Sequence, residues 1–212
     1  MPIEEEESEL IRTEGELRLW EGRCAIFSAS AFLHLFLNLK NFFGIVTATT
    51  LLYNTGKEVA QSTCQKFAEK YGVRGDELIR RVISYQGSLG YGKMEIVACD
   101  LKTGEMVVRS RNPILGSQLR DFGAPVDFFL SGSLAGVMEF VTGRKVMCTE
   151  RKCVARGDDY CEFATRFTQI PLSRGVRIEV DEEMVESSLE EIMKKGLLKS
   201  FMKAAEEARK NG

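Results

Sequence analysis

The chain has 212 residues with 44% hydrophobic and 28% charged residues, values of a globular protein with one sizeable core. Its formal net charge of −2 gives no overall attraction to nucleic acid, so we expect no nucleic-acid partner. Six cysteines, together with an acidic N-terminus unlike a signal peptide, predict a reducing, cytoplasmic setting in which thiols bind metal or lie buried.

The first part of the chain combines an acidic lead with a long uncharged stretch. Residues 1–24 are predicted to hold that lead and one strand near residues 11–20, where apolar and charged residues partly alternate. Between Ala25 and Tyr53, polar residues such as His34 and Lys40 leave uncharged runs shorter than the roughly 20 residues of a membrane span. We therefore expect no membrane span and interpret the stretch as two core helices with a break at residues 41–44, the second continuing to Tyr71.

Side chains of this stretch supply a candidate pocket for a small hydrophobic ligand. Its residues are Phe32, His34, Phe36, Phe42 and Phe43. Core packing is the alternative interpretation of each phenylalanine. His34 is the only histidine of the chain and is interpreted as a pocket or core residue, because no haem motif surrounds it.

The predicted helical and hairpin part, residues 25–110, ends with a short helix and two strands. Residues 76–85 are amphipathic, and residues 93–100 and 105–110 are predicted to pair as a hairpin. The sequence GSLGYG at 87–92 lacks the order G-x-G-x-x-G and precedes a strand, so it predicts a turn. Residues 111–126 connect to the next element and could act as a lid over a pocket.

A helix and a second hairpin carry the candidate metal ligands. Apolar spacing predicts a helix at 127–142, in which Gly132 and Gly136 allow another element to approach closely. Residues KVMCTERKCV and YCEFATRF are predicted strands joined around Gly157. A three-residue loop there places Cys153 and Cys161 opposite each other, with Cβ atoms roughly 4.5 to 5.5 Å apart. Two facing thiolates are half of a tetrahedral zinc site, while a disulfide and a buried thiol pair remain alternatives.

Carboxylates complete the candidate zinc site. Glu150 lies three residues before Cys153, so a twist or bulge is needed to bring both side chains to one face. Asp127, at the start of the helix, is the candidate fourth ligand, and Cys148 is held in reserve. A first-turn carboxylate stabilised by the helix dipole is the alternative role of Asp127. Two thiolates and two carboxylates would close the coordination sphere, which favours structural over catalytic zinc.

This region resembles the 4-vinyl reductase domain family. The resemblance is carried by Gly132, Gly143, Arg144, Glu150, Cys153, Gly157, Cys161 and Phe163. It implies an α/β (α+β) fold, an antiparallel sheet of hairpins packed with helices, related in shape to haem-NO-binding domains and vesicle-tethering subunits. In the aromatic-sensing branch of the family, a Glu, two Cys and a further Cys hold zinc. These positions match Glu150, Cys153 and Cys161, and the fourth falls on Asp127 instead of Cys.

The sequence as a whole predicts a binding module. Residues 111–167 are its expected metal-binding part, and the link IPLSRG separates them from a predicted C-terminal helical extension at 168–212. We expect a zinc-containing, homodimeric protein that binds a small hydrophobic or aromatic ligand as a sensor or carrier. A single histidine and the lack of a flavin or nicotinamide fingerprint argue against an enzyme. The alternatives are an oxidoreductase or accessory factor acting on a tetrapyrrole vinyl group, and a dimeric scaffold subunit.

Overall fold

The structure, a computed structural model, describes residues 10–19, 22–119 and 122–168. The acidic lead at 1–9 lies outside the described residues. So does the predicted C-terminal extension, apart from Thr168.

The N-terminal segment forms a three-stranded antiparallel sheet. Its strands are β1 (Leu10–Thr13), β2 (Glu16–Leu19) and β3 (Gly22–Cys24). The prediction of one strand at 11–20 is wrong, because the chain reverses between Thr13 and Glu16. Gly15 makes this two-residue turn possible with a φ of 77°, a value that glycine adopts without strain.

The long helix α1 (Ala29–Tyr71) begins at a side-chain cap and contains one break. The Ser28 side chain accepts a hydrogen bond from the Ala31 N–H at 3.2 Å, and Gly72 ends the helix in the left-handed conformation. Gly44 interrupts the helix with φ 80° and ψ 163°. The predicted break and the predicted continuation to Tyr71 are both confirmed.

The two halves of α1 differ in burial. In the second half, residues at helical spacing turn to the core: Leu52, Gly56, Ala60, Cys64 and Phe67. Near the break, in contrast, Val46 is 75% exposed and Phe43 is 58% exposed. The prediction that residues 25–53 pack in the core is therefore wrong for most of this stretch. By length and composition α1 is also the one described helix that would be able to cross a membrane, a property it shares with long core helices.

The main sheet is antiparallel and covered by helices, as predicted. Its strands are β4 (Lys93–Asp100), β5 (Glu105–Arg111), β6 (Val146–Lys152) and β7 (Cys161–Phe167), in the order β4-β5-β7-β6. Helix α2 (Gly75–Ser88) contacts β4, and α3 (Phe128–Thr142) contacts α1, α2, β6 and β7. The fold is α/β with an antiparallel sheet of hairpins.

Helix α3 occupies the centre of the fold. All of residues 129–139 are buried, and α1 crosses α3 at backbone contact. A Cβ at Gly132 would overlap the Tyr53 carbonyl, and a Cβ at Gly136 would overlap the Lys57 carbonyl. The predicted close approach at these two glycines is confirmed, and it holds the start of α3 in a fixed position beside the sheet.

Candidate metal centre and aromatic cluster

Four side chains converge where α3 starts beside the β6–β7 connection. They are Asp127, directly before α3, Glu150 in β6, Cys153 after β6 and Cys161 at the start of β7. One ligand atom from each lies within 4.8 Å of all the others. Both cysteines are free thiols, so the predicted disulfide alternative does not occur. The structure thus brings together the four residues that the sequence singled out.

The spacing of the donor atoms fits a tetrahedral zinc ion. Bond lengths of about 2.3 Å to sulfur and 2.1 Å to oxygen place a sulfur and an oxygen ligand roughly 3.6 Å apart. The Cys161 Sγ and Asp127 Oδ2 atoms are 3.6 Å apart. Thiolate and carboxylate together form a donor set that zinc accepts.

The route by which the two cysteines meet differs from the prediction. Cys153 is not paired across the ladder with Cys161, since β6 ends at Lys152 and a single 3-10 turn follows at Val154–Arg156. The Cys153 N–H donates to Asp158 Oδ2 at 2.8 Å, and the Asp158 N–H donates to the Cys153 carbonyl at 3.2 Å. These bonds fold the connection back, so that the thiols converge without a three-residue hairpin loop.

A register shift turns Glu150 toward the cluster. Glu150 pairs with Phe163 and Lys152 pairs with Glu162, with an irregularity between them. This is the bulge that the sequence required. Glu150 Oε2 accepts the N–H groups of Val126 at 3.2 Å and Asp127 at 3.1 Å. Glu150 Oε1 is buried without a hydrogen-bond partner, as expected of an atom left free to bind a cation.

Asp127 is directed at the connecting segment and not at its own helix. Its side chain makes no capping hydrogen bond to α3, so the helix-cap alternative is not seen. Its Oδ1 accepts the N–H groups of Leu115 at 3.2 Å and Gly116 at 3.3 Å. A Cβ on Gly116 would lie 2.6 Å from Asp127 Oδ2 and 3.4 Å from Cys161 Sγ. Gly116 therefore closes the wall of the site.

Sequence reasoning missed these two backbone donors, since nothing in RNPILGSQLRDFGAPV marks them. Leu115, Gly116 and Val126 are buried, so much of the connecting segment packs beside the cluster as a wall and not as a lid. Cys148, the reserve ligand, is buried in β6 and is not among the four converging residues. Its backbone N–H donates to the Tyr53 hydroxyl at 3.0 Å.

The protonation of the cluster follows from its burial. Burial, and then repulsion from Glu150, raises the pKa of the Asp127 carboxyl to about 7. Burial likewise raises the pKa of the Glu150 carboxyl to about 8. A hydrogen bond with the Cys161 thiol lowers the pKa of Cys153 to about 6, and the pKa of Cys161 is raised in return. Four buried acids without a cation thus retain protons that a divalent ion would displace.

The structure separates the five candidate pocket residues. Phe36 is fully buried and Phe32 is half-buried. His34, Phe42 and Phe43 are exposed, the last two by 45% and 58%. The predicted set therefore does not face one common interior space.

Phe32 belongs to a cluster that sequence reasoning missed. Its ring packs edge-on against Phe129 of α3, with centroids 5.6 Å apart, and Tyr91 packs edge-on against the same ring at 5.4 Å. We call Phe32, Tyr91 and Phe129 the aromatic cluster. Tyr91 lies in the GSLGYG turn, and its half-buried position keeps the cluster accessible from the surface. A separate groove of about 470 Å³ lies at the far end of α1, between Ala68, Leu78 and Phe140.

Comparisons with known proteins agree with the sequence resemblance. Residues 106–167 match the family model of the 4-vinyl reductase domain, which confirms the predicted resemblance. An uncharacterised protein of Methanocaldococcus jannaschii is 25% identical over 127 residues, 58% of this chain and 69% of that protein. A vinyl-4-reductase family protein from the same organism, of known structure, has 20% identity and a TM-score of 0.48 over 68% of this chain and 84% of that chain.

Other solved structures share the fold. The phenol-responsive sensory domain of the transcription activator PoxR, solved with phenol, gives a TM-score of 0.65 at 17% identity, over 72% of this chain and 81% of that chain. A trafficking protein particle complex subunit 3 from Naegleria fowleri, covalently bound to palmitic acid, gives 0.48 at 18% identity over 66% and 91%. An H-NOX protein from S. oneidensis gives 0.46 at 13% identity over 68% and 78%. Both classes of protein named in the fold prediction thus occur among the matches.

Proposed function

We propose that this chain is a zinc-stabilised module that binds a small hydrophobic or aromatic molecule and acts as a cytoplasmic sensor or carrier. The observation that carries the zinc is the convergence of four buried donor atoms, one of them an unpartnered carboxylate oxygen. The ligand proposal is supported by the accessible aromatic cluster and by a fold shared with a sensory domain.

Zinc has a structural role in this proposal. When bound, it supplies a four-way cross-link among chain segments that are far apart in sequence. The segments are the start of α3, the end of β6 and the start of β7. Through Asp127 the cross-link also holds the backbone of Leu115 and Gly116. Loss of the metal would therefore loosen the connecting segment as well as the hairpin.

The connecting segment provides a physical path from the metal centre to the ligand site. Gln118, three residues after Leu115, donates from Nε2 to the Ala29 carbonyl at the start of α1, at 3.0 Å. Phe32 lies in the next turn of α1. The break at Gly44 allows this half of α1 to move without displacing the buried half. A ligand at the aromatic cluster would thus change how residues 29–43 pack, which is the change a partner protein would detect.

A homodimer is the proposed assembly, with the exposed apolar face of α1 as its interface. That face consists of Leu35, Phe42, Phe43, Ile45, Val46, Leu51 and Val59, each at least 40% exposed. Exposed apolar surface of this extent is uncommon on monomers. Lys40 is the only Lys, Arg, Asp or Glu between Cys24 and Gly56, so two copies of this face meet with little charge repulsion.

Metal analysis of the purified protein tests the zinc proposal. We expect about one zinc per chain in wild type, and loss of both zinc and thermal stability in Cys161→Ser. Cys99→Ser is the matched control, because Cys99 is a free, half-buried thiol on β4 outside the cluster. Equal zinc content and melting temperature in wild type and Cys161→Ser would refute the assignment.

Ligand binding is tested with phenol, toluene and indole as probes, using calorimetry on the zinc-loaded protein. Phe32→Ala is expected to weaken binding, whereas Phe43→Ala, with its exposed ring, is the control that retains it. If no probe binds while the protein is a stable dimer, the scaffold alternative is favoured instead.

Light scattering after size-exclusion chromatography tests the dimer. Val46→Glu is expected to give monomers, and Lys66→Glu, a charge change on the exposed side of α1, is not. A monomeric wild type that sediments with lipid vesicles would instead assign the apolar face to a membrane surface.

A further inference from the structure

Three buried side-chain polar atoms in the described part of the chain have no hydrogen-bond partner. They are Glu150 Oε1, Gln86 Oε1 and Ser110 Oγ. Glu150 belongs to the metal centre, and the other two have no role in the zinc site or the fold described above. Buried polar atoms are nearly always paired, so two orphans beside the same turn require an explanation.

Gln86 lies at the inward face of the last turn of α2 and is 4% exposed. Its Nε2 donates to the Ser133 hydroxyl of α3 at 2.6 Å, which fixes the orientation of the amide. The carbonyl end of the amide can only accept a hydrogen bond, and no donor of the chain reaches it. A ligand that satisfies it must carry an O–H or N–H group.

Ser110 lies on the inner face of β5 and is fully buried. Its Oγ rests against the turn after α2, since a Cβ at Gly92 would come within 2.5 Å of it. The neighbouring Tyr91 N–H donates to the Gln86 carbonyl of the main chain at 3.3 Å. Gln86 and Ser110 therefore contact the same turn, Tyr91–Gly92, from its two sides.

The same turn places the two unpartnered atoms beside the aromatic cluster. Tyr91 is a member of that cluster, with its ring against Phe129, and Phe129 in turn contacts Phe32. The aromatic rings can pack against an apolar body, and the two orphan atoms can contact a polar group attached to it. A hydroxyl group suits both atoms, because it donates one hydrogen bond and also accepts.

Resting on the proposed ligand site, we propose that Gln86 and Ser110 select ligands that carry a neutral hydroxyl group on an aromatic or similarly flat apolar body. The hydroxyl donates to Gln86 Oε1 and accepts from the Ser110 hydroxyl. A pure hydrocarbon leaves both atoms unpaired, and a carboxylate has no proton for Gln86. A site built to hydrogen-bond a hydroxyl discriminates strongly against the analogue that lacks it.

Phenol and toluene are the matched probes, since they differ in a hydroxyl and a methyl group of similar size. Titration calorimetry on the zinc-loaded full chain is expected to show phenol binding at least about tenfold more tightly than toluene. Gln86→Met, which keeps the length and buries no amide, is expected to remove this preference by weakening phenol while toluene binds as well as before. Ser110→Ala is expected to reduce the preference in the same direction.

Gln65→Met is the matched control, because Gln65 is an exposed glutamine of α1. It is expected to leave both affinities unchanged. Equal binding of phenol and toluene by wild type overturns this inference and leaves the proposed ligand site intact, whereas no binding of either probe overturns both. A crystal structure of the phenol complex with the hydroxyl directed away from Gln86 also overturns the inference.

Discussion

Replacement of Asp127 by asparagine is expected to have opposite effects on the metal-free and the zinc-loaded protein. The side chain is 1% exposed, and its pKa is raised from 3.8 to about 7. Because the raised pKa means that the folded state disfavours the ionised form, the carboxylate destabilises the metal-free fold above pH 7. At about 1.4 kcal/mol per pH unit, its cost at pH 8 is on the order of 4 kcal/mol.

This value is an upper bound, since Glu150 shares the same protons. Asparagine keeps an oxygen that accepts the N–H groups of Leu115 and Gly116 and carries no charge. We expect metal-free Asp127→Asn to unfold at a free energy roughly 1 to 4 kcal/mol above that of the metal-free wild type at pH 8.

In the zinc-loaded protein the same substitution removes a ligand. Loss of an outer-shell partner alone weakens metal binding about 10- to 100-fold, and loss of a ligand is expected to cost at least the larger factor. A 100-fold weaker affinity reduces stabilisation by zinc by about 2.7 kcal/mol. Urea unfolding at pH 8, with zinc and with a chelator, measures both terms. Asp159→Asn, in an exposed position of the same loop, is the control. A destabilised metal-free variant with unchanged zinc stabilisation would refute the reasoning.

Three further predictions concern the cluster and the helix crossing. Glu150→Gln is expected to lower zinc affinity at least about 100-fold while retaining an acceptor for the backbone of residues 126 and 127, as competition with a chromophoric chelator will measure. Because the pKa values of Asp127 and Glu150 are raised to about 7 and about 8, zinc must displace their protons. Zinc affinity should therefore fall steeply from pH 8 to pH 6, and a pH-independent affinity would contradict the coordination by carboxylates. Gly132→Ala places a methyl group against the Tyr53 carbonyl and is expected to destabilise the fold by about 1 to 3 kcal/mol. Gly87→Ala in α2, where a Cβ has normal contacts, should instead be neutral or stabilise by up to about 1 kcal/mol in thermal unfolding.

The sequence predicted the ligand set because its members follow local rules. A helix start and a hairpin place Asp127, Glu150 and the two cysteines at positions that spacing indicates, and the family resemblance supports the same residues. It did not reveal the donors from Leu115 and Gly116, since these are backbone groups whose role depends on a contact between distant segments. The position of Cys153 was mispredicted because Asp158 bonds to its backbone and ends the strand, a side-chain interaction that competes with the ladder.

The burial of α1 could not be read from composition. An uncharged stretch indicates that the side chains avoid water in the final assembly, but not whether they pack on their own chain or on a partner. Phe36 and Leu52 pack inside the fold, whereas Phe43 and Val46, which are equally apolar, lie on its surface. The aromatic cluster was missed for a related reason, since Tyr91 lies in a glycine-rich turn where residue spacing gives no signal.

X-ray absorption at the zinc edge tests the central claim most directly, because it measures the identity and distance of the atoms bound to the metal. The coordination by Asp127, Glu150, Cys153 and Cys161 predicts two sulfur atoms at about 2.3 Å and two oxygen atoms at about 2.0 to 2.2 Å. A shell of nitrogen and oxygen alone, or a purified protein that retains no zinc under reducing conditions, would contradict it.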